Sequence, residues 1–203
     1  MTSEKCQILF IGNAGVGKTS LISRYANGIF KEEYLSTIGF ESCSKEEIIK
    51  NKNVRVILWD TAGQERYKAL TTNYFKNAEG VALVYDVTKY ESFENLKDWI
   101  QSIKNNLGDD NNIPIIIIGN KIDMEGIRET KKEDAEKFSK ENGYQYFETS
   151  CKTGEGVDDA IRNLVEQILN QRDKSDEVIE ERNSSMKIER NSHRETQKKK
   201  GCC

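Results

Sequence analysis

The feature that most restricts the fold of this chain is a glycine-rich octapeptide between an apolar run and an amphipathic segment. Residues 12–19 read GNAGVGKT; the run QILFI ends just before them, and KTSLISRYA overlaps their end. Glycine adopts backbone conformations that other residues avoid, so three glycines in eight positions permit a very tight turn. The order of these segments predicts a strand that passes through a close turn into a helix.

Short apolar runs alternate with helical patterns along the rest of the chain. Strands are predicted at residues 7–11, 54–59, 81–86, 113–119 and 144–149. Apolar side chains recur every three or four residues from Phe93 to Leu107 and from Val157 to Leu169, which indicates helices. This order predicts an α/β fold in which helices flank a mostly parallel sheet.

Local signals predict where two of the helices begin and end. Ser92 is the expected N-cap of the helix that contains Phe93. Thr130 with Glu133 forms a capping-box pattern, and Gly143 is expected to end the helix that this pattern begins.

The composition changes near residue 172 and divides the chain into two predicted parts. Residues 1–172 form the predicted domain, whereas residues 173–203 carry many charges, few large apolar side chains and no aromatic ring. Such a segment cannot bury enough apolar surface to offset its ordering entropy, so we expect a disordered tail.

Bulk properties exclude several classes of function. The formal net charge of −3 gives no general reason to expect nucleic acid as a partner. No apolar run approaches the roughly 18 residues of a transmembrane helix. The five cysteines show no CxxC spacing and the chain has one His, which argues against a zinc site. We expect reduced thiols in a cytosolic protein.

The octapeptide matches the phosphate-loop pattern G-x-x-x-x-G-K-[ST] without a gap. Backbone N–H groups of such a loop surround phosphates, and the following helix N-terminus favours anions. Lys18 is expected to reach the β- and γ-phosphates, and the Thr19 hydroxyl is suited to bind Mg²⁺. The predicted phosphate-binding residues here are Asn13, Ala14, Gly15, Val16, Gly17, Lys18, Thr19 and Ser20. This loop alone leaves both ATP and GTP open.

Three further polar segments each follow a predicted strand. In NKID, the Asp123 carboxylate can accept two hydrogen bonds that guanine donates and adenine does not. In WDTAGQERY, we expect Asp60 to hold Mg²⁺ through water, the Gly63 N–H to meet the γ-phosphate and Gln64 to orient an attacking water. In ETSCK, the Cys151 N–H could reach the guanine carbonyl oxygen.

The ordered set GNAGVGKT, STIG, WDTAGQERY, NKID and TSCK resembles the Ras superfamily of small GTPases, and within it the Rab family of vesicle-traffic switches. The resemblance implies a single P-loop GTPase domain with a mostly parallel six-stranded sheet flanked by helices. It also implies that the protein binds GTP or GDP with Mg²⁺, hydrolyses GTP and regulates vesicle trafficking, with Gln64 as the catalytic residue. It further implies that Thr37 binds Mg²⁺ and that Tyr34 covers the phosphates. The implied guanine-binding residues are Phe30, Asn120, Lys121, Asp123, Ser150, Cys151 and Lys152.

The ending KKKGCC implies, by the same resemblance, a geranylgeranyl group on each of Cys202 and Cys203. Two lipid chains give stable membrane anchoring, whereas one gives only marginal binding. The expected location is therefore the cytoplasmic face of an endomembrane or vesicle, with a cytosolic pool. The implied partners are a guanine-nucleotide exchange factor, a GTPase-activating protein, a GDP-dissociation inhibitor, an escort protein with geranylgeranyl transferase, and effectors that bind the GTP form.

Two other functions are weighed against the hydrolysing switch. A GTP-loaded scaffold with little hydrolysis stays open, because Gln64 argues against it while the Ala14 methyl would lie near the γ-phosphate and Gln64. An ATP-using kinase does not fit the NKID segment.

Overall fold

The computed structural model describes residues 3–31, 40–61, 75, 77–108 and 113–175. The elements in chain order are β1 (Glu4–Ile11), α1 (Lys18–Asn27), β2 (Phe40–Ile49), β3 (Lys52–Thr61), β4 (Gly80–Asp86), α2 (Tyr90–Glu94), α3 (Leu96–Leu107), β5 (Ile115–Asn120), a 3₁₀ helix (Ile122–Ile127), α4 (Lys132–Glu141) and β6 (Gln145–Thr149). A further helix, α5, begins at residue 157. The chain divides into two compact units, Met1–Ile168 and Leu169–Cys203, and the sheet lies in the first.

The six strands form one sheet in the order β2-β3-β1-β4-β5-β6. All neighbouring pairs are parallel except β2 with β3. Every residue of β4 is buried, as expected for a central strand that helices cover on both faces. The predicted α/β fold with a mostly parallel six-stranded sheet is confirmed.

The edge strand β2 has no counterpart among the individually predicted strands. Its described side chains alternate between exposed and partly buried, with Ser42, Ser44 and Glu46 exposed, so it lacks the apolar run that marks the inner strands. It pairs with β3 through a tight turn in which Lys50 and Asn51 have φ values of 51° and 62°. Two successive positive φ values are typical of a type I′ hairpin turn, whose twist matches antiparallel strands.

The core of the first unit has a layer on each face of the sheet. On one face, Leu96, Ile100 and Ile103 of α3 pack with Leu83 and Tyr85 of β4 in a continuous buried cluster. On the other face, a Cβ built on Gly80 would meet Leu164 and Ile168 of α5, at 2.9 Å from Ile168 Cδ1. Gly80 therefore allows α5 to lie close against β4.

The two predicted N-terminal caps are wrong. Ser92 lies inside α2, and its Oγ donates to the Lys89 carbonyl at 2.7 Å and accepts from the Asp86 backbone N–H at 3.0 Å. The hydroxyl is thus used to satisfy the backbone where β4 ends. The apolar stripe from Phe93 to Leu107 belongs to two helices, because α2 ends at Glu94 and α3 begins at Leu96.

The predicted capping box also fails. Helix α4 is capped by Lys131, which makes no side-chain capping bond, and Thr130 lies one residue earlier with its backbone N–H donating to the Val87 carbonyl at 3.1 Å. That bond joins the Thr130 backbone to the segment after β4, and its hydroxyl has no hydrogen-bond partner among the described residues, so it does not cap the helix. The predicted stop is confirmed: α4 ends at Glu141, and Gly143 has a φ of 76°.

In the second unit, residues 169–175 are helical. Residues 173–175, which the composition assigns to the tail, are therefore helical, and residues 176–203 lie outside the described part of the chain. Among the described residues, no helix is both long enough and apolar enough to cross a membrane.

Candidate nucleotide-binding site

The predicted functional segments meet at one edge of the sheet because the strands that carry them are parallel. β1, β4, β5 and β6 run in the same direction, so the loops that follow them emerge side by side. β3 is also parallel to β1 and brings Asp60 to the same edge. This edge, at the carboxyl ends of the strands, is where open α/β sheets bind ligands.

The glycine-rich loop is closely packed against its neighbours. Gly12 has a φ of 145°, and a Cβ there would lie 2.1 Å from the Val84 carbonyl oxygen. Gly17 has a φ of 102°, and a Cβ there would lie 2.3 Å from Asn120 Nδ2. Glycine is thus required at both ends of the loop for space as well as for conformation. Ala14 is exposed within it.

Lys18 lies at the start of α1 with its ammonium folded back over the loop. Its Nζ donates to the carbonyls of Gly12 and Asn13, both at 2.8 Å, and the residue is 5% exposed. Burial lowers the pKa of Lys18 to about 8, while the nearby Asp60 carboxylate acts in the opposite direction. The loop therefore holds a positive charge close to the N–H groups of the α1 N-terminus.

Thr19 and Asp60 place two oxygen atoms that could bind a metal ion beside that lysine. Thr19 Oγ1 donates to Asp60 Oδ2 at 2.6 Å, joining the first turn of α1 to the end of β3. Hydroxyl and carboxylate oxygens are the ligands that Mg²⁺ prefers, and this ion is usually held by one or two carboxylates together with substrate phosphates. The donor set fits a magnesium ion bound together with a phosphate ligand.

A cavity of about 310 Å³ opens between the glycine-rich loop and the loops after β5 and β6. The residues that line it are Gly17, Ser20, Phe30, Asn120, Lys121, Asp123, Met124, Cys151 and Lys152. Six of the seven side chains predicted at the guanine are in this set. The seventh, Ser150, lies behind it and donates from Oγ to Asp123 Oδ1 at 2.6 Å, which fixes the orientation of the carboxylate.

Asn120 connects the cavity to the phosphate loop. Its Nδ2 donates to the Val16 carbonyl at 2.9 Å, and its Oδ1 accepts from Thr149 Oγ1 at 3.2 Å and from Cys151 Sγ at 3.4 Å. Burial raises the pKa of the Cys151 thiol to about 12. The thiol is therefore neutral at physiological pH and acts as a hydrogen-bond donor, not as a nucleophile.

Three residues that the sequence analysis did not assign also support the site. Arg24 donates from Nε to the Cys151 carbonyl at 2.6 Å and from Nη2 to the Lys152 carbonyl at 2.7 Å. Trp99 donates from Nε1 to Asn13 Oδ1 at 2.7 Å, so α3 is tied to the phosphate loop. Met124 lines the cavity next to Asp123. Of these three residues, only Met124 could have been suspected from the sequence, because it follows the predicted binding residue Asp123.

Several predicted residues lie outside the described part of the chain. They are Tyr34, Thr37, Gly63, Gln64, Cys202 and Cys203.

Comparison with known proteins decides the family. The Ras family model matches residues 7–170. The chain is 44% identical over 163 residues to Ras-related protein Rab-13 of Bos taurus, covering 80% of this chain and 79% of the relative. It is 38% identical over 161 residues to GTP-binding protein ypt3 of Schizosaccharomyces pombe, covering 79% and 74%. It is also 38% identical over 163 residues to Ras-related protein Rab-8B of Pongo abelii, covering 80% and 78%. The chain belongs to the Ras family, as one of its Rab proteins.

Membership of the Rab family gives the general activity. This Rab protein binds guanine nucleotide, hydrolyses GTP to GDP and acts as a molecular switch in vesicle trafficking. Regulators and effectors in general follow from the same membership. The alternative of a GTP-loaded scaffold with little hydrolysis receives no support from the comparisons.

Proposed function

We propose that the cavity between the phosphate loop and the loops after β5 and β6 holds the guanine base, and that Asp123 selects it. Guanine presents two adjacent donors, N1–H and the 2-amino group, and the two oxygens of a carboxylate can accept both. The observation that carries this proposal is the Asp123 carboxylate at the cavity wall, oriented by the Ser150 hydroxyl at 2.6 Å. Ser150 occupies one lone pair of Oδ1, so both oxygens keep acceptor capacity for the base.

The phosphates belong on the glycine-rich loop in this proposal. Lys18 holds its ammonium at the loop's own carbonyls, from which it can move onto a β- or γ-phosphate oxygen over a short distance. The N-terminus of α1 adds backbone N–H groups and a favourable dipole. Thr19 and Asp60 would hold Mg²⁺, Asp60 through water, and the bound ion would neutralise charge on the β- and γ-phosphates.

Hydrolysis is assigned to the segment after β3. Gln64 would orient the attacking water, the Gly63 N–H would contact the γ-phosphate, and Thr37 would complete the metal ligands. This assignment is supported by the match of WDTAGQERY and STIG to the family pattern. Replacement Gln64→Leu is expected to keep GTP binding and to lose most of the turnover that an activating protein stimulates. Normal stimulated turnover in that variant would contradict the assignment.

Nucleotide exchange and hydrolysis are proposed to move the protein between an effector-binding form and a released form. The partners required are a guanine-nucleotide exchange factor, a GTPase-activating protein, a GDP-dissociation inhibitor and an escort protein with geranylgeranyl transferase. Lipids on Cys202 and Cys203 would hold the GTPase at the cytoplasmic face of an endomembrane, and a cytosolic pool would be bound by the inhibitor.

A base-selectivity measurement tests the central assignment. In Asp123→Asn the amide nitrogen faces the guanine donors, so GDP affinity is expected to fall by at least tenfold. Xanthosine diphosphate, which has a carbonyl in place of the amino group, should become the preferred ligand. The matched control is Asp134→Asn, a change of the same type at an exposed position on α4. Unchanged preference for GDP over xanthosine diphosphate in Asp123→Asn would refute the role of this carboxylate.

A fractionation experiment tests the anchor. The double variant Cys202→Ser with Cys203→Ser is expected to bind nucleotide normally and to move from the membrane fraction to the soluble fraction of its own cells. Cys43→Ser, which changes a half-buried thiol of β2, is the control and should stay on membranes. An unmodified C-terminal peptide, detected by mass spectrometry on membrane-bound protein, would rule out lipid anchoring.

A further inference from the structure

Asp86 is a buried acidic residue that neither the sequence motifs nor the proposed mechanism assigns. It is the last residue of β4, is 0% exposed and pairs in register with Asn120 at the end of β5. Its backbone segment also supports the loop that follows β5, because the Val87 N–H donates to the Asn120 carbonyl at 3.0 Å. A buried carboxylate is retained only where partners compensate for its lost hydration.

Both oxygens of the Asp86 carboxylate have defined partners. Oδ1 accepts from the Thr88 backbone N–H at 2.9 Å and from Thr88 Oγ1 at 2.7 Å. Oδ2 accepts from Lys121 Nζ at 2.5 Å. The two bonds from Thr88 fix the plane of the carboxylate, so that Oδ2 is directed at the ammonium.

The Lys121 ammonium makes a second bond that crosses the site. It donates to the Gly15 carbonyl of the phosphate loop at 2.8 Å. Lys121 thereby bridges Asp86 at the end of β4 to the loop that would hold the phosphates. Its own backbone has a φ of 73°, a left-handed conformation that is unfavourable for a residue with a Cβ and that needs support from surrounding contacts.

We propose that Asp86 is a positioning residue that sets how long the protein retains its nucleotide. The carboxylate holds the Lys121 ammonium against Gly15, and this fixes the base-binding loop and the phosphate loop at the spacing that a bound nucleotide requires. Asp86 itself does not contact the nucleotide. The inference rests on the proposed function, because it takes the cavity to be the guanine site.

The test is the rate of GDP release from Asp86→Asn, measured with a fluorescent GDP analogue chased by excess GDP. The amide keeps the size of the side chain but removes the charge that attracts Lys121. Loss of one charge-assisted hydrogen bond corresponds to roughly a ten- to hundredfold faster release. Preference for GDP over xanthosine diphosphate should persist, because Asp123 is intact.

Two further variants separate positioning from simple loss of structure. Thr88→Val removes the hydroxyl bond to Oδ1 but keeps the bond from the Thr88 backbone N–H and the Lys121 contact with Oδ2, so GDP release should change by less than about threefold. In a Lys121→Met background the ammonium is absent, so adding Asp86→Asn should give no further acceleration. Folding of each variant is checked by urea unfolding in excess GDP.

The outcomes distinguish this inference from the proposed function. If the unmodified protein binds GDP and prefers it over xanthosine diphosphate, but Asp86→Asn releases GDP at the unmodified rate, the positioning role is wrong and the guanine site stands. If the unmodified protein shows no preference for guanine, the proposed function itself fails. If Asp86→Asn alone does not fold, the double variant Lys121→Met with Asp86→Asn is used instead, because it leaves no unpaired charge. Its rate of GDP release is compared with that of Lys121→Met. GDP release that is more than about threefold faster from the double variant than from Lys121→Met would also overturn the inference.

Discussion

Gly17→Ala provides a quantitative test of how the phosphate loop and the guanine loop are joined. The new methyl group would lie 2.3 Å from Asn120 Nδ2, well inside van der Waals contact. Asn120 can avoid it only by moving its amide, and this breaks the 2.9 Å bond from Nδ2 to the Val16 carbonyl. The substitution therefore acts on a hydrogen bond between two loops, although it is made in only one of them.

Two contributions make up the expected free-energy cost of Gly17→Ala. A Cβ at the φ of 102° costs about 1–2 kcal/mol in backbone strain. A buried amide that loses its partner costs about 1–3 kcal/mol more. Gly28→Ala isolates the first term, because Gly28 has a φ of 68° and a Cβ there would meet nothing within 4 Å. The free-energy costs of the two variants should therefore differ by about 1–3 kcal/mol, the cost of the lost Asn120 bond. This difference corresponds to a change of roughly 5- to 150-fold in a rate or an affinity.

The assay is release of a fluorescent GDP analogue from both variants under identical conditions, with urea unfolding in excess GDP as the stability measurement. Gly28→Ala is expected to lose stability and to release GDP at nearly the unmodified rate, since Gly28 lies at the far end of α1. Gly17→Ala should release GDP at least fivefold faster than Gly28→Ala. Equal release rates would refute the reasoning that the Asn120 contact transmits the change.

Two further predictions concern groups away from the cavity. Glu47→Ala removes the acceptor of Tyr25 and the partner of Arg162 at 2.8 Å, so it should lower the free energy of unfolding by about 2 kcal/mol in a urea titration. The exposed neighbour Glu46→Ala should cost less than about 0.5 kcal/mol, and equal losses would contradict the argument. Burial raises the pKa of Tyr25, Tyr85, Tyr144 and Tyr146. The folded state therefore binds protons more tightly at these groups than the unfolded state does, so their contribution to stability should fall as the pH rises above about 10. In a pH titration, phenolate absorbance should increase at a higher pH in the folded protein than in the unfolded protein.

The inner sheet could be predicted from the sequence because burial on both faces leaves little choice of residue. β4 and β5 are almost continuous apolar runs, and the helix stripes between strands follow the 3.6-residue period. The edge strand β2 could not be located in the same way, because Ser42, Ser44 and Glu46 on its exposed face interrupt any apolar run.

The local capping signals failed for different reasons at the two positions. The Ser92 hydroxyl is used at the Asp86 backbone, where β4 ends. Thr130 instead bonds to the Val87 carbonyl through its backbone N–H, and its hydroxyl has no hydrogen-bond partner among the described residues. These contacts join positions that lie 6 and 43 residues apart in the chain, and only the first is within the range of a local pattern.

The residues that contact a ligand and those that support the site differ in how well they can be predicted. Phosphate and base recognition impose residue types at fixed spacings within one segment, so GNAGVGKT and NKID are visible as patterns. Arg24 and Trp99 support the site through contacts with residues 127 and 86 positions away. No spacing within the sequence encodes such a contact, because it depends on which strands become neighbours.

The antiparallel β2–β3 hairpin has a practical consequence for labelling this GTPase. Phe40 pairs with Thr61 at one end of the hairpin, and the segments that carry Thr37 and Gln64 are attached at that end. The Lys50–Asn51 turn is at the other end, roughly 30 Å along a ten-residue strand. A fluorophore or short epitope inserted at this turn would lengthen a loop without shifting the strand register. It should therefore report on rotation of the whole molecule in a complex while leaving the nucleotide cycle unchanged.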